Sequence, residues 1–511
     1  MKIVTGETMQ GLDRRVIDEF GIPGLQLMEN AGRGCAVAIT EAFPAAARAV
    51  VVAGKGNNGG DGYVIARLLR ESGWEVRTIV LAARAEIGGD ALTNLQRLNP
   101  ESLIFSPAPG GLLPYRQILD EATVIVDSLL GTGLKNPVSA VYAEAITLIN
   151  GSGKPVVAVD IPSGIAAGSG EVLGVAVRAA MTVTFGLAKI GHVVYPGCEY
   201  CGSLKIVDIG IPAEVSSSAE GVDFVDSVTA SRLLIRRERR AHKGAFGHCL
   251  IIAGSTGKTG AAAMAANSAV RAGSGLVSLA VPVVLNPILE VKTTEAMTIP
   301  LPDDGQGFLG STALPAIVGA WEGKDSIAIG PGMSWNTATA ELVRQVIRLV
   351  TAPLVVDADG LNALSEEVEA LANKKSPTVV LTPHPGEMAR LTGASIAEIE
   401  ADRLGVARAF SVRYGVYVIL KGARTVVAAP DGRLSINGSG NPGMASGGMG
   451  DVLTGIVTSL LGQGYEPFTA CQLAVFIHGY AADLVAGEKG EIGMSAVDVQ
   501  EHLPVAFRSL N

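Results

Sequence analysis

The stretch Asn441-Pro442-Gly443-Met444-Ala445-Ser446-Gly447-Gly448-Met449-Gly450-Asp451 has the residue types to hold an anion and to move a proton beside it. Glycines 447, 448 and 450 free the backbone to aim successive N–H groups at one point. The apolar run Val452-Leu453-Thr454-Gly455-Ile456 then reads as a helix whose positive end adds to them. A carboxylate gains nothing beside a phosphate hole unless it acts on something, for example by taking a proton from a bound hydroxyl. Asp451 can also be read as a plain helix cap. The number of glycines and the motifs upstream favour the chemical reading.

Three further loops carry chemistry-capable residues in the first half. Gly54-Lys55-Gly56-Asn57-Asn58-Gly59-Gly60-Asp61-Gly62 follows the apolar strand Ala49 to Ala53 and precedes a helix expected over Tyr63 to Arg70. Strand, glycine loop and helix form the phosphate-binding start of a doubly wound sheet, although the spacing is not the dinucleotide G-x-G-x-x-G. Turn chemistry alone also accounts for Asn, Asp and Gly here. Asp127 to Pro137 and Asp160-Ile161-Pro162-Ser163-Gly164 each follow another apolar strand. In open α/β sheets ligands sit beyond the carboxyl ends of the strands, so the three loops converge. Asp160 reads equally as a turn cap or as an acid/base.

In the second half, Gly254 to Gly260 fails as a Walker A loop because position 252 is Ile252. It remains a strand–loop–helix junction, where Gly260, Ala261 and Ala262 leave room for a flat ligand ring. The strand ends at Ile327 to Gly332, Val355 to Asp359 and Val379 to Glu387 each place polar groups just after an apolar run. His384, between two prolines, reads as a structural residue or a ligand contact. Lys421-Gly422-Ala423-Arg424-Thr425 sets a cation beside a turn glycine, as a phosphate contact or a turn would.

The elements that must position these residues are strands near Val76 to Leu81, Thr123 to Asp127, Pro155 to Asp160, Met181 to Phe185 and Leu204 to Ile209, then Gly247 to Ala253 and Gly415 to Leu420. Their alternation with helical segments predicts α/β architecture with largely parallel cores. The chain's 511 residues suit two domains on a prior of roughly 100–200 residues each. The small, polar Ser216 to Gly221 marks a boundary. The expected division is a domain over 1–212, a linker over 213–225 and a second domain over 226–511.

Residues 1 to about 212 resemble the NAD(P)H-hydrate epimerase domain, on N-N-G-G-D-G, D-x-L-L-G-T-G and V-D-I-P-S-G. The resemblance implies a Rossmann-like sheet with helices that equilibrates R and S epimers at the hydroxylated carbon of a nicotinamide ring. It implies substrate contacts at Asn57, Asn58, Gly59, Gly60 and Asp61, and at Gly131, Thr132, Gly133, Leu134, Lys135, Asn136 and Pro137. Asp160 would be substrate contact and acid/base, and Asn58, Asp127 and Ser163 would hold a potassium ion. Amide, carboxylate and hydroxyl oxygens are what a hard cation takes.

Residues 226–511 resemble the ribokinase-like fold and its ADP-dependent NAD(P)H-hydrate dehydratase branch, on P-H-P-G-E, K-G-x-x-T and N-x-G-M-A-S-G-G-M-G-D. The resemblance implies contacts to the hydrate at Ala262, Gly332, His384 and Asp451. Nucleotide contacts would come from Lys421, Gly422, Ala423, Arg424, Thr425 and Gly450. Asp451 would be catalytic, deprotonating the ring hydroxyl for attack on the terminal phosphoryl group of ADP, with magnesium expected for that step. The expected substrates are therefore hydrated NADH and NADPH (NADHX and NADPHX) with ADP. The alternative is a ribokinase-like kinase of a hydroxymethyl-pyrimidine or thiazole, which would share the Asp451 hole but has no use for N-N-G-G-D-G.

Composition agrees with such an enzyme and excludes other classes. Lys and Arg number 40 against 49 Asp and Glu, a net charge of −9, so no nucleic-acid partner is expected. The basic run from Arg236 to Lys243 reads as a solvated face or as phosphate attraction. Five scattered cysteines, with Cys198-x-x-Cys201 as incidental spacing, argue for a reducing compartment rather than a disulfide framework. The apolar stretch from Ala261 to Leu285 is broken by Arg271, Gly273, Gly275 and Pro282, so no membrane span is expected. A cytoplasmic homo-oligomer is the expected form.

Overall fold

Short β-branched runs in residues 2–222 pair into a seven-stranded sheet that is parallel throughout. The computed structural model describes every residue except 46, 107 and 109–111. Contacts divide the chain into residues 2–222 and 223–511. In the first unit the strands lie side by side as Leu103–Phe105, Glu75–Val80, Arg48–Ala53, Val124–Ser128, Val156–Val159, Met181–Phe185 and Ser203–Val207. The order reverses between Arg48–Ala53 and Val124–Ser128, which is where a doubly wound sheet opens a crevice for ligands.

The helix Gly6–Phe20 is capped by Thr5, whose hydroxyl accepts from the Thr8 amide at 3.1 Å. It buries Met9, Leu12 and Val16 and ends at Gly21 in the left-handed conformation. The helix expected over Tyr63 to Arg70 begins earlier, at Asn57, and runs to Glu71. Glycine's poor helix propensity made 57–62 look like a loop, but close packing overrides it. A Cβ on Gly59 would lie 2.1 Å from the Gly54 carbonyl oxygen, and one on Gly62 2.1 Å from Ser128 Oγ.

The expected linker 213–225 is structured at both ends. Ala213–Ser217 is a short helix whose Val215 is buried in the first unit's core, with Ala219 beside it. Val222–Val225 is a strand, and Asp223 to Val225 pair in parallel with Ser435 to Asn437.

The second unit is built on the parallel strands Met297–Leu301, Leu276–Pro282, His248–Ile252, Ser326–Ile329, Leu354–Val356, Val379–Leu381 and Tyr417–Leu420, in that order. Val426–Ala428 and Leu434–Asn437 then continue it antiparallel. Helix Met449–Gly462 is buried nearly throughout and crosses close to Thr259–Arg271. Pro467–Lys489 is, among the described residues, a helix long and apolar enough to cross a membrane, which the sequence reading had not singled out. Most of it is buried in the second unit's core, where a core helix meets the same criterion.

Gly455 sets the distance between the two crossing helices, since a Cβ there would lie 2.3 Å from the Ala265 carbonyl oxygen. Gly455→Ala is expected to destabilise the second unit by about 1–3 kcal/mol through overpacking. Urea unfolding checks this, and an unchanged midpoint would show that the helices part without cost.

Candidate functional site

At the strand-order reversal of the first unit lies a cavity of about 610 Å³. Asn57, Asn58, Asp61, Gly131, Thr132, Gly133, Leu134 and Asp160 line it, together with Met9, Gln10, Asp13 and Lys189. Gly59 and Gly60 lie buried beneath it, Gly60 against the Met28 sulfur, and serve close approach of the backbone. Lys135, Asn136 and Pro137 are exposed outside the cavity wall, with Lys135 Nζ 2.6 Å from Glu7 Oε1.

Asp160 follows the strand Val156–Val159 with φ of 67°, a left-handed conformation that costs a non-glycine residue energy and fixes its direction. Its Oδ1 accepts from Lys189 Nζ at 2.6 Å and from Thr184 Oγ1 at 2.9 Å. Burial pushes the carboxyl up, but Lys189 and Thr184, with His192 nearby, outweigh it and hold its pKa below the usual value. His192 accepts the Lys189 amide at Nδ1 (3.0 Å) and donates from Nε2 to the Asp160 carbonyl (2.8 Å). Burial pushes this imidazole down to about 4, so it is neutral. Asp13 is raised to about 6 by burial, partly offset by Lys189. Asp61 is raised well above a normal carboxyl by burial, then by Asp160 and Asp13.

Asp127 is fully buried. Its Oδ2 accepts the Ser163 amide at 2.8 Å and its Oδ1 accepts Ser163 Oγ at 2.6 Å, with no cation paired to it among the described residues. Both amide atoms of Asn58 are buried without a hydrogen-bond partner, and Asn58 packs against Gly131. An orphaned amide oxygen and a buried, cation-free carboxylate are donors of the kind a hard cation takes.

In the second unit the residues meet at the carboxyl ends of the central strands. Gly448, at φ of 93°, opens the helix Met449–Gly462, so the first-turn amides have no intrahelical acceptors. Asp451, in that turn, makes no hydrogen bond or ion pair among the described residues. Burial, then Asp357, push it up to about 7 against the pull of Lys421.

Asp357 is fully buried and accepts from Lys421 Nζ (2.9 Å), Thr382 Oγ1 (2.6 Å) and Thr454 Oγ1 (2.8 Å). Despite burial it is held ionised by Lys421, whose own pKa rises in return. Glu387 Oε2 lies 3.6 Å from the same ammonium. A Cβ on Gly450 would sit 3.3 Å from Lys421 Nζ, so glycine leaves the helix start and the ammonium facing one space.

His384 caps the helix Pro385–Thr392, its Nδ1 accepting from the Gly386 and Glu387 amides at 3.0 and 3.2 Å. Its pKa is lowered by burial and by Lys421, which leaves a neutral ring whose Nε2 lies 3.6 Å from Glu387 Oε1. Gly332, at φ of 62°, packs against Ala261 and Lys258, and its carbonyl accepts Ser255 Oγ at 2.7 Å. Ala262 is fully buried, with its methyl 3.2 Å from where a Gly254 Cβ would stand, so its side chain packs inside the junction.

The turn after Lys421 closes on itself: Thr425 Oγ1 donates to the Gly422 carbonyl at 2.9 Å, Arg424 to that of Gly438 at 2.8 Å, and Ala423 is exposed. Gly422, at φ of 140°, lies against the Arg403 guanidinium, which donates to the Leu420 and Lys421 carbonyls.

Sequence reasoning gave no role to Lys189, His192, Asp13, Asp357 or Glu387. Asp357 and Glu387 lie in strand ends it picked out, and Glu387 also has the capping-box spacing from His384. Asp483, whose two oxygens accept from Gly440 N and Asn441 Nδ2 at 2.9 Å each, tethers the glycine loop from a distant helix.

Residues 249–505 match the family model described as NAD(P)H-hydrate dehydratase, and residues 24–191 match the one described as YjeF-related protein N-terminus. A bifunctional NAD(P)H-hydrate repair enzyme of Moorella thermoacetica is 42% identical, covering 100% of this chain and 97% of its own. The corresponding enzyme of Escherichia coli is 36% identical over 95% of this chain and 90% of its own. Among solved structures, the Bacillus subtilis ADP/ATP-dependent NAD(P)H-hydrate dehydratase, co-crystallised with ATP and magnesium, aligns with a TM-score of 0.51 at 29% identity. It covers 57% of this chain and 100% of its own.

Removing one partner of the buried Asp357–Lys421 pair strands the other. Asp357→Ala is expected to cost the second unit about 3–5 kcal/mol. Denaturant unfolding measures it, and a loss below about 1 kcal/mol, the range of a surface pair, would mean the pair is solvated.

Proposed function

Because the chain belongs to the bifunctional NAD(P)H-hydrate repair enzymes, we propose that the cavity in residues 2–222 equilibrates the R and S epimers of NADHX and NADPHX, and that residues 223–511 dehydrate the S epimer with ADP. The functional boundary falls between the matched segments, within 213–225. The observation that carries the dehydratase assignment is Asp451: an unpaired carboxyl with a pKa near 7, on the first turn of a helix whose amides face the Lys421 ammonium.

Asp451 takes the proton of the ring hydroxyl as that oxygen attacks the terminal phosphoryl group. AMP leaves, and the amides of Gly448 to Gly450 with Lys421 hold the developing negative charge. The phosphorylated oxygen then departs as phosphate while the ring nitrogen supplies electrons, leaving a carbon–nitrogen double bond. Loss of a proton from the adjacent ring carbon to the departing phosphate or to water restores the dihydronicotinamide. His384 Nε2–H and the Gly332 turn orient the hydrate, and the Lys421–Thr425 turn with Gly450 receives the nucleotide. Magnesium would enter with the nucleotide and be held by its phosphate oxygens and by Glu387, leaving Asp451 free to take the proton, and would neutralise phosphate charge. The B. subtilis structure co-crystallised with ATP and magnesium supports the use of that cation.

In the first unit Asp160 is the acid/base, pointed into the cavity by its left-handed backbone and by Lys189. Asn58, Asp127 and Ser163 would hold potassium, whose charge would offset the buried Asp127 and steady the glycine-rich turn. The small-molecule kinase reading gives way, because the relatives carry both units end to end.

Five cysteines, none of them in a disulfide, fit a reducing, cytoplasmic setting. Val283, Val284, Ile288 and Val291 leave apolar surface beside the edge strand Met297–Leu301, which supports a homo-oligomer.

A mixed R and S NADHX pool supplied with ADP should recover its full near-ultraviolet dihydronicotinamide absorbance. Recovery that stalls at the S fraction would remove the epimerase, and no recovery would sink the whole reading. Asp451→Asn should lower dehydration by about 10²–10⁴-fold. A base works ionised, so dehydration should rise with pH through about 7 and level off above it. A rate flat from pH 5.5 to about 8 would contradict Asp451 as base.

A further inference from the structure

Three carboxyls, Asp13, Asp61 and Asp160, face the same cavity, and a single ammonium, Lys189, serves them. That ammonium is committed: it donates to Asp160 at 2.6 Å, to Thr184 Oγ1 at 2.8 Å and to the Phe185 carbonyl at 3.2 Å. The other groups facing the cluster bring no charge to spare. His192 is neutral, Cys35 beside Asp61 is a buried thiol, and Lys55 on the cavity wall is paired with Glu86 at 3.2 Å. Asp90 adds another carboxyl to the lining and Tyr142 a phenol. Asp61 has no hydrogen-bond partner among the described residues, and Asp13 Oδ1 is buried without one. Three ionised carboxylates around one ammonium would be strongly repulsive in an enclosed site, so Asp61, which has no hydrogen-bond partner among the described residues, keeps its proton, and Asp13 holds its own more tightly than a carboxyl in water.

We propose that Asp61 is the general acid of the epimerase, working against Asp160 as base, with Asp13 as the third carboxyl through which the proton returns. This rests on the cavity being the epimerase centre. Asp61 gives its proton to the ring hydroxyl, the carbon–oxygen bond breaks and water leaves, and the ring nitrogen lone pair forms a carbon–nitrogen double bond. Water then adds to the opposite face of that cation and gives its proton to Asp160. One water leaves and one enters, and one proton moves from Asp61 to Asp160. Return of the proton to Asp61 within the cluster resets the site. A weak base suffices because the carbon under attack belongs to a cation, so the Lys189-paired Asp160 is adequate. The division follows a general pattern in which two carboxyls with opposed environments take opposite roles.

The test uses the full-length enzyme, separated epimers and ¹⁸O-labelled water, with inversion followed chromatographically. Wild type should take up one solvent oxygen per inversion and lose rate as pH rises through the acid's titration. Asp61→Asn should slow inversion by about 10²-fold or more and abolish that alkaline limb. Hydrate binding should stay within about threefold, and dehydration of the S epimer should be unchanged, which reports folding. Inversion without oxygen uptake overturns the proposal, as does Asp61→Asn at wild-type rate. Asp160→Asn separates the two levels. If it slows inversion while Asp61→Asn does not, the acid is wrongly assigned and the site stands. If neither variant slows it, the site falls too.

Discussion

Each half of the chain buries a lysine at the carboxyl end of a parallel sheet, and the chemistry of each half depends on which acid that lysine satisfies. Lys189 is almost wholly buried on Asp160, and Lys421, 20% exposed, sits on the buried Asp357 with Glu387 close by. A buried ammonium is tolerable only with a carboxylate in contact, so each pair fixes one acid as ionised, a structural anchor at Asp357 and a base at Asp160. The acids left over then have no cation of their own. They sit in the same low-dielectric space and hold protons more tightly than carboxyls in water. Those leftovers, Asp61 and Asp451, are the groups free to exchange protons with a ligand.

The pairing works only because the sheets bring their strand ends close together. Asp357 is reached by Thr382 from the next strand end and by Thr454 from the helix Met449–Gly462, which Gly455 lets pack closely on Thr259–Arg271. At Gly330 a Cβ would lie 2.0 Å from the Asp357 carbonyl oxygen, and this glycine's φ of 124° is open to few other residues. In the first unit the same need appears at Gly59 and Gly62, which let the helix Asn57–Glu71 start directly against the sheet. The glycines thus set backbone distances, and the backbone distances set which charges meet.

This explains what could be read without coordinates. Strands and glycine loops were legible because their signals are local, and the glycines that shape the two sites, Gly59, Gly62, Gly330 and Gly448, fall in the stretches already picked out. Asp160 and Asp451 were legible for the same reason, each lying at the end of an apolar run. Lys189 was not, since nothing in Phe185-Gly186-Leu187-Ala188-Lys189 distinguishes a buried ammonium from a solvated one. Asp13 lies on a helix whose period announces only its buried face of Met9, Leu12 and Val16. The start of the helix at Asn57 was hidden because intrinsic propensity points the other way and tertiary packing decides.

The two units solve opposite electrostatic problems with the same parts. In the second, a phosphoryl group brings negative charge, so the open end of the pair is cationic: Lys421 faces the first-turn amides, and Asp451 stands at its edge with a pKa close to the working range. In the first, charge develops as a ring cation, so the surplus lies on the acid side, with three carboxyls against one ammonium. Exchanging those surpluses would defeat both reactions. An extra carboxylate in the Lys421 site would repel the phosphates, and an extra ammonium beside Asp160 would repel a ring cation and draw the protons off Asp13 and Asp61. The balance of acids to lysines around each strand end therefore constrains which reaction each sheet can serve more tightly than the fold does.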